Sequence, residues 1–472
     1  MMTLLETGRG VDQGRLLSLF ATARRRAGET RRPVLVSFAT PVASADSLAF
    51  FREGAVVSSD CFLWATPGRD LVMVGVGAAL TLEQEGVSRF TAAAREWRRV
   101  CARCGCRRTG DAPAGPRLVG GFAFDPRATR SGRWHDYPDG LLILPRYMLT
   151  TTRAGRWLTI NLMVSPDSDA EVVSAAIRES RTLLSCPTPE PAIAPTQIFT
   201  DEGAGAEAWP STARSLISAV RSGELEKVVL AREVRVSAFS PHQSEQIVGR
   251  LLANNPRCFV FAAQRGGRCF LGATPERLVR LQDGQASASS LAGSIARGWD
   301  AVEDRRLGEA LMASAKDQVE HAIVVRALRE ALGAVVHQLS PEVAPELMKA
   351  PHVQHLETMV EGVALPGVSV LDLVERLHPT PAVGGYPRER AMAAIREQER
   401  LDRGWYAGPI GWLDAAGEGE FAVAIRSALL DGCEASLYAG CGLVAESDPD
   451  REFAESSLKL RPMLAALAGD DR

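Results

Sequence analysis

The 472-residue chain has no run of eighteen or more apolar residues, which excludes a membrane-spanning helix. It also lacks a strong charge of either sign. Its 57 acidic residues stand against 54 lysines and arginines, a formal net charge of -3, so no electrostatic pull toward nucleic acid or an anionic membrane is expected. Nine cysteines spread over this length do not form a disulfide framework, and reduced thiols in a cytoplasmic protein are expected. The opening residues, MMTLLETGRGVDQG, show no basic-then-apolar leader pattern. No repeat at solenoid or propeller periods is present. What remains is an ordinary globular composition, 46% hydrophobic and 24% charged, long for one compact core and suited to two packed subdomains or one large unit.

Cys101, Cys104 and Cys106 lie in CARCGC, close enough to suggest a metal knuckle. A structural zinc site wants four ligands, and no CxxC or HxxxH pair follows at a suitable distance. A loop at the end of a helix is the expected reading.

The clearest punctuation is PTPEPAIAPT, Pro187–Thr196, whose prolines fit neither a helix interior nor a central strand. It is expected to join an N-terminal region, 1–196, to a C-terminal region, 197–472. Before it, VLVSFAT, LVMVGVG, LVGGFAF, LLILPRYML and LTINLMV read as strands, and Arg89–Cys101 as an amphipathic helix. After it, KVVLAREVRV, RCFVFAAQ, RCFLGATP, ERLVRLQ and QASASSLAG are strand-like. One long helix is expected near Asp304–Leu332 and another near Leu371–Leu377. IGWLDA, GEFAVAIRSALL and ASLYAGCGLV suggest three successive antiparallel strands before a terminal helix from Pro449 to Ala468. Hairpin-linked strands with long flanking helices argue for an α+β fold over a doubly wound parallel sheet.

Four places can carry chemistry. On the terminal helix Glu452, Glu455 and Lys459 fall within roughly 60° of one another at helical period. A solvated face with an i,i+4 pair is the commoner reading of such residues taken alone, but the preceding AGCGLVAESDP lets backbone amides approach a ligand. Such a turn and two acids can hold a carboxylate and a hard cation together. Glu320, in KDQVEH, precedes a strongly apolar segment, and a buried carboxylate is costly unless paired or bound to metal. His321 beside it reads as a hydrogen-bonded core histidine. Lys227 opens the apolar run KVVLAR, where a lysine can be a snorkelling strand end or an available base. Glu276, in GATPERL, follows a strand and a Thr-Pro turn, as a general acid or simply a turn residue. Residue chemistry alone leaves candidate acids, a candidate base and an anionic substrate, without naming the reaction.

Taken together, KVVLAR, LGATPERL, LAGS, SAKDQVEH, VQHLET, HPTPAVGGYP, ERLDRGWYAGPIGW, GEFAVAIRSA, AGCGLV and EFAESSLK, in this order, resemble the chorismate-utilising enzymes, and within them the isochorismate synthases. The match runs from about Leu225 to Leu467. The N-terminal SFATPVASADSLAFF, GPRLVGGFAFDP and LPRYML resemble the longer members linked to menaquinone synthesis. The resemblance implies large, mainly antiparallel sheets forming a sandwich-like core with helices packed around it. It implies a Mg²⁺ ion held by Glu320 and Glu455, with Glu452 assisting through metal-bound water. It also implies substrate contacts from Arg426, Lys459, Tyr406 and the backbone amides of Gly293 and Gly440. Lys227 would be the general base and Glu276 the general acid, with His355 orienting the leaving hydroxyl or Glu276. That chemistry requires a neutral lysine and a protonated glutamate at working pH. His378, in HPTPA, is expected to be structural.

HPTPAVGGYP differs from the SGAPK-type segment of ammonia-using relatives and favours release of isochorismate over the salicylate synthase reaction. A non-catalytic chorismate-binding scaffold is disfavoured because Lys227, Glu276, Glu320 and Glu455 are all present. The expected substrate is chorismate, with neither nucleic acid nor membrane as partner, and a monomer. Two departures from the family pattern are Ser294, where threonine is common, and Cys441 in the glycine turn.

Overall fold

The computed structural model describes residues 11–104, 114–186, 196–350 and 353–469. Every strand pairing among them is antiparallel. With eleven α-helices against this sheet system, the expected α+β class holds.

The strand Gly140–Thr152 organises the sheet. One of its edges pairs with Leu71–Gln84. The other is shared, its first residues pairing with Arg117–Phe122 and its later ones with Gly155–Val164. From that division two arms run on. One passes from Arg117–Phe122 through Pro409–Asp414, Gly419–Val423, Arg277–Gln282 and Gln285–Ala296 to Val353–Ala364. The other passes from Leu71–Gln84 through Cys61–Ala65, Phe259–Arg265, Arg268–Thr274, Ser427–Asp431 and Glu434–Leu443 to Lys227–Ala238. Strands on either side of the proline-rich segment therefore hydrogen bond to each other. Residues 187–195 of that segment lie outside the described residues.

The main apolar cluster takes side chains from both arms, such as Val279 and Phe421 from one and Phe261, Phe270 and Leu230 from the other. A second cluster lies under the helices Gln13–Thr30, Glu171–Leu184 and Ser244–Asn254. Trp64, Trp97, Trp134, Trp209 and Trp405 are all buried. Each large side chain so removed from water contributes roughly 1.5–3 kcal/mol before entropy is charged against it.

Three expectations need correction. The helix expected over Asp304–Leu332 is two, Ala301–Ala313 and Ala315–Gly333, because Ser314 turns extended and its side chain caps Asp317 N. GEFAVAIRSALL is two strands, Gly419–Val423 and Ser427–Asp431, interrupted by a turn in which Arg426 has φ 52°. Seven cysteines are free thiols as expected, but Cys104 is disulfide-bonded. Cys106 lies outside the described residues.

Candidate active site

The two arms meet over a pocket, and each wall reaches it for a local reason. On one arm the strand Gln285–Ala296 carries an irregularity between Ala292 and Ser294. Gly293 fills it at φ +77°, where a Cβ would approach Asp317 Cβ to 3.0 Å. The bulge aims Gly293 and Ser294 inward opposite His355 of the neighbouring strand. On the other arm Val229, Gly440 and Gly442 face the pocket. The turn bearing Tyr406 is fixed by Gly404 (φ +50°), where any side chain would strike the Trp134 ring. Helix Ala315–Gly333 supplies Glu320. Helix Pro449–Ala468, capped by Asp448 with proline in its first turn, supplies Glu452, Glu455 and Lys459.

Nine of the eleven residues expected at the site line this pocket: Glu276, Gly293, Glu320, His355, Tyr406, Arg426, Gly440, Glu455 and Lys459. Lys227 and Glu452 stand just behind the wall. Lys227 is fully buried and its Nζ lies 2.8 Å from Glu320 Oε1. Glu452 is turned to Lys316, whose Nζ lies 2.5 Å from its Oε1. Glu455 pairs with Lys459 at 2.7 Å. Each of the three acids thus has a lysine partner.

Burial and neighbouring charge set the protonation pattern. Burial pushes the Glu276 carboxyl up to about 8, against the pull of Lys227, Lys459 and Arg426. Burial also raises Glu320, but Lys227, Lys316 and Lys459 outweigh it and hold that carboxyl below its usual range. Glu452 is raised by burial and by the charge of Glu455. His355 is pushed down to about 3 by burial, with Arg426 and Lys459 adding to it, so the imidazole is neutral. Its Nδ1 lies 2.9 Å from Ser294 Oγ and 3.3 Å from Gly293 O. A carbonyl can only accept, so the proton is assigned to Nδ1, leaving the unpartnered Nε2 as an acceptor. Burial pushes Tyr406 up to about 12, keeping its hydroxyl a donor. Tyr406 stacks on Tyr438 with ring centroids 5.1 Å apart.

The acids offer a fit for a hard cation. Carboxylate oxygens of Glu452 and Glu455 and the Cys441 sulfur lie within 4.8 Å of one another, and Glu320 lines the same pocket. Mg²⁺ takes oxygen ligands and keeps several waters, so the carboxylates suit it and the sulfur does not. Cys441 instead donates to Glu452 O at 3.1 Å.

His321 and His378 are structural, as expected. His321 Nε2 bonds Thr358 Oγ1 at 2.8 Å, and His378 Nε2 bonds Phe124 O at 2.9 Å. Sequence reasoning passed over Lys316, Arg403 and Gly442. Lys316 had a signal, lying one turn before Glu320 in the same motif. Arg403 lines the pocket and ties Val229 O, Val383 O and Glu399 together. At Gly442 a Cβ would lie 2.5 Å from Glu320 Oε1 and 2.7 Å from Lys227 Cε, so only glycine leaves room for that ion pair.

Residues 21–468 match the family model described as chorismate binding enzyme. The chain is 37% identical to isochorismate synthase MenF of Bacillus subtilis, over 95% of this chain and 97% of that one. It is 39% identical to the salicylate biosynthesis isochorismate synthase of Pseudomonas aeruginosa, over 96% and 95%. The solved structure of MenF, the menaquinone-specific isochorismate synthase of Escherichia coli, superposes with TM-score 0.77 at 27% identity, over 95% of this chain and 100% of that one.

Proposed function

The chain belongs to the chorismate-binding enzyme family, and from that premise we propose that it is an isochorismate synthase, moving the hydroxyl of chorismate from C4 to C2. The observation that carries the reading is Glu276, a buried carboxyl pushed up to about 8 in a pocket that also holds Arg426 and Lys459. An acid that stays protonated near neutral pH among positive charges suits delivery of a proton to a departing hydroxyl.

In this mechanism Arg426 and Lys459 receive a substrate carboxylate, the first with a planar fork and the second as a point charge. The amides of Gly293 and Gly440 add donors, and the Tyr406 hydroxyl meets the pyruvyl arm. Lys227 is the proposed base: in its neutral form, without the proton it holds against Glu320, it takes a proton as water adds at C2. The ring double bonds shift, the C4 hydroxyl departs with the proton of Glu276, and one water has entered as another leaves. His355, neutral and with Nε2 free to accept, orients the leaving hydroxyl or the acid. Mg²⁺ is the proposed cofactor, with Glu320 and Glu455 holding it and Glu452 assisting through bound water. When bound, it supplies positive charge against the substrate's ring carboxylate.

We place the product in menaquinone synthesis, a reading supported by the N-terminal motifs and the likeness to the E. coli enzyme. The protein is proposed to be a cytoplasmic monomer. Among the described residues no helix is long and apolar enough to cross a membrane.

The test is incubation of purified protein with chorismate and Mg²⁺, with and without ammonium, followed by separation of products. Isochorismate alone, lost on adding EDTA, is expected. Salicylate with pyruvate would move the protein to the neighbouring activity, and no conversion would favour a scaffold.

A further inference from the structure

Behind the strand Lys227–Ala238 lies a second cleft of about 950 Å³. Its walls are the helix Gly203–Arg221, residues 230–233 of the strand, and the segment following helix Arg388–Gln398. The strand contributes Val229 to the catalytic pocket and Leu230, Ala231, Arg232 and Glu233 to this cleft, so the two share a wall. We propose that the cleft is a binding site for a small carboxylate with an apolar body, separate from the catalytic pocket.

Arg232 carries the argument. It is 3% exposed, with Nε and Nη2 each 2.8 Å from a serine hydroxyl, Ser456 and Ser457. Hydroxyls carry no charge. Its carboxylate neighbour is Glu202, 3.4 Å from Nη1 and half exposed, a loose partner for a buried guanidinium with five donors. Trp209, 2% exposed, lines the same cleft, and its indole N–H has no hydrogen-bond partner. The indole N–H and Arg232 Nη1, which meets Glu202 without a hydrogen bond, are both donors, so the matching ligand brings acceptors.

Most of the cleft's other acids are already engaged. Glu399 pairs with Arg403 at 2.5 Å and accepts from Ala231 N, Glu233 lies 3.6 Å from Arg133, and Asp201 accepts from Gly203 N. Glu397 points to solvent. The indole of Trp209 with Leu230 and Leu401 gives the apolar half of the site. Glu202, at the exposed end of its ion pair, is the group an incoming carboxylate displaces.

The test is calorimetric titration of the full chain with benzoate, using benzamide as the neutral control. Benzoate is expected to bind and benzamide not to. Glu202→Ala, an exposed change, should tighten benzoate by about two- to five-fold, because the competing surface-type ion pair is gone. Arg232→Gln should weaken it at least about ten-fold, with circular dichroism confirming the fold. Benzoate binding that ignores both substitutions, that chorismate competes away, or that is absent at millimolar concentration would overturn the proposal. Equal binding of benzamide would overturn it too.

Discussion

Replacing Glu276 with glutamine isolates the most unusual group in the protein. The carboxyl is 3% exposed and its pKa is about 8, against an ordinary value of 4.5. Below pH 4.5 both folded and unfolded chains hold the proton and the group is neutral for stability. Between 4.5 and 8 the folded chain keeps a proton that the unfolded chain has released, so stability falls as pH rises and levels off above 8. A span of about 3.5 pH units at about 1.4 kcal/mol each makes the full loss about 5 kcal/mol. Glutamine has nearly the same shape and no proton to lose. Glu276→Gln should therefore match the wild type near pH 4.5 and gain on it by about 1.4 kcal/mol per pH unit up to pH 8. Urea unfolding of both proteins from pH 4.5 to 9 measures the difference. A difference that stays flat with pH would refute the raised pKa, and with it the protonated acid. Turnover supplies the second half: the variant should lose about 10²–10⁴ in kcat, and wild-type activity should decline as pH passes 8.

Lys227→Met removes the proposed base, and kcat should drop by about 10²–10⁴ while chorismate binding by calorimetry survives; near-normal kcat would end that assignment. Glu455→Gln and Glu320→Gln should both raise the Mg²⁺ concentration needed in a metal titration of activity, but they part on stability. Glu455 is partly exposed, and its loss should cost under about 1 kcal/mol. Loss of Glu320 strands the fully buried Lys227 and should cost about 3–5 kcal/mol by urea unfolding; equal stabilities would contradict that pairing. Gly442→Ala pushes a methyl against both members of the pair and should cost about 1–3 kcal/mol and most of the activity. A fully active variant would show that the pair's position does not matter.

Local signals reached the helices with clear ends and stripes. Arg89–Cys101 and Pro449–Ala468 have the expected bounds, the second because Asp448 and Pro449 mark its start. Helices Gly203–Arg221, Ser244–Asn254 and Arg388–Gln398 go beyond the expected elements. The first opens on glycines and contains Pro210, which masks its period. Ser314 and Arg426 break elements that pattern alone runs together, because a cap and a left-handed turn depend on backbone angles that hydrophobicity does not encode.

The site divides along the same line. Helical period by itself determines that Glu455 and Lys459 share a face, and the structure joins them at 2.7 Å. Motif order singles out Lys227, Glu276 and Glu320 as candidates. Only the tertiary structure decides that Lys227 meets Glu320, that Lys316 meets Glu452, and that Gly442 leaves the space between strand and helix. The raised pKa of Glu276 also belongs to the fold. Desolvation and Coulomb attraction depend on distances between groups far apart in the chain, and packing alone sets those distances.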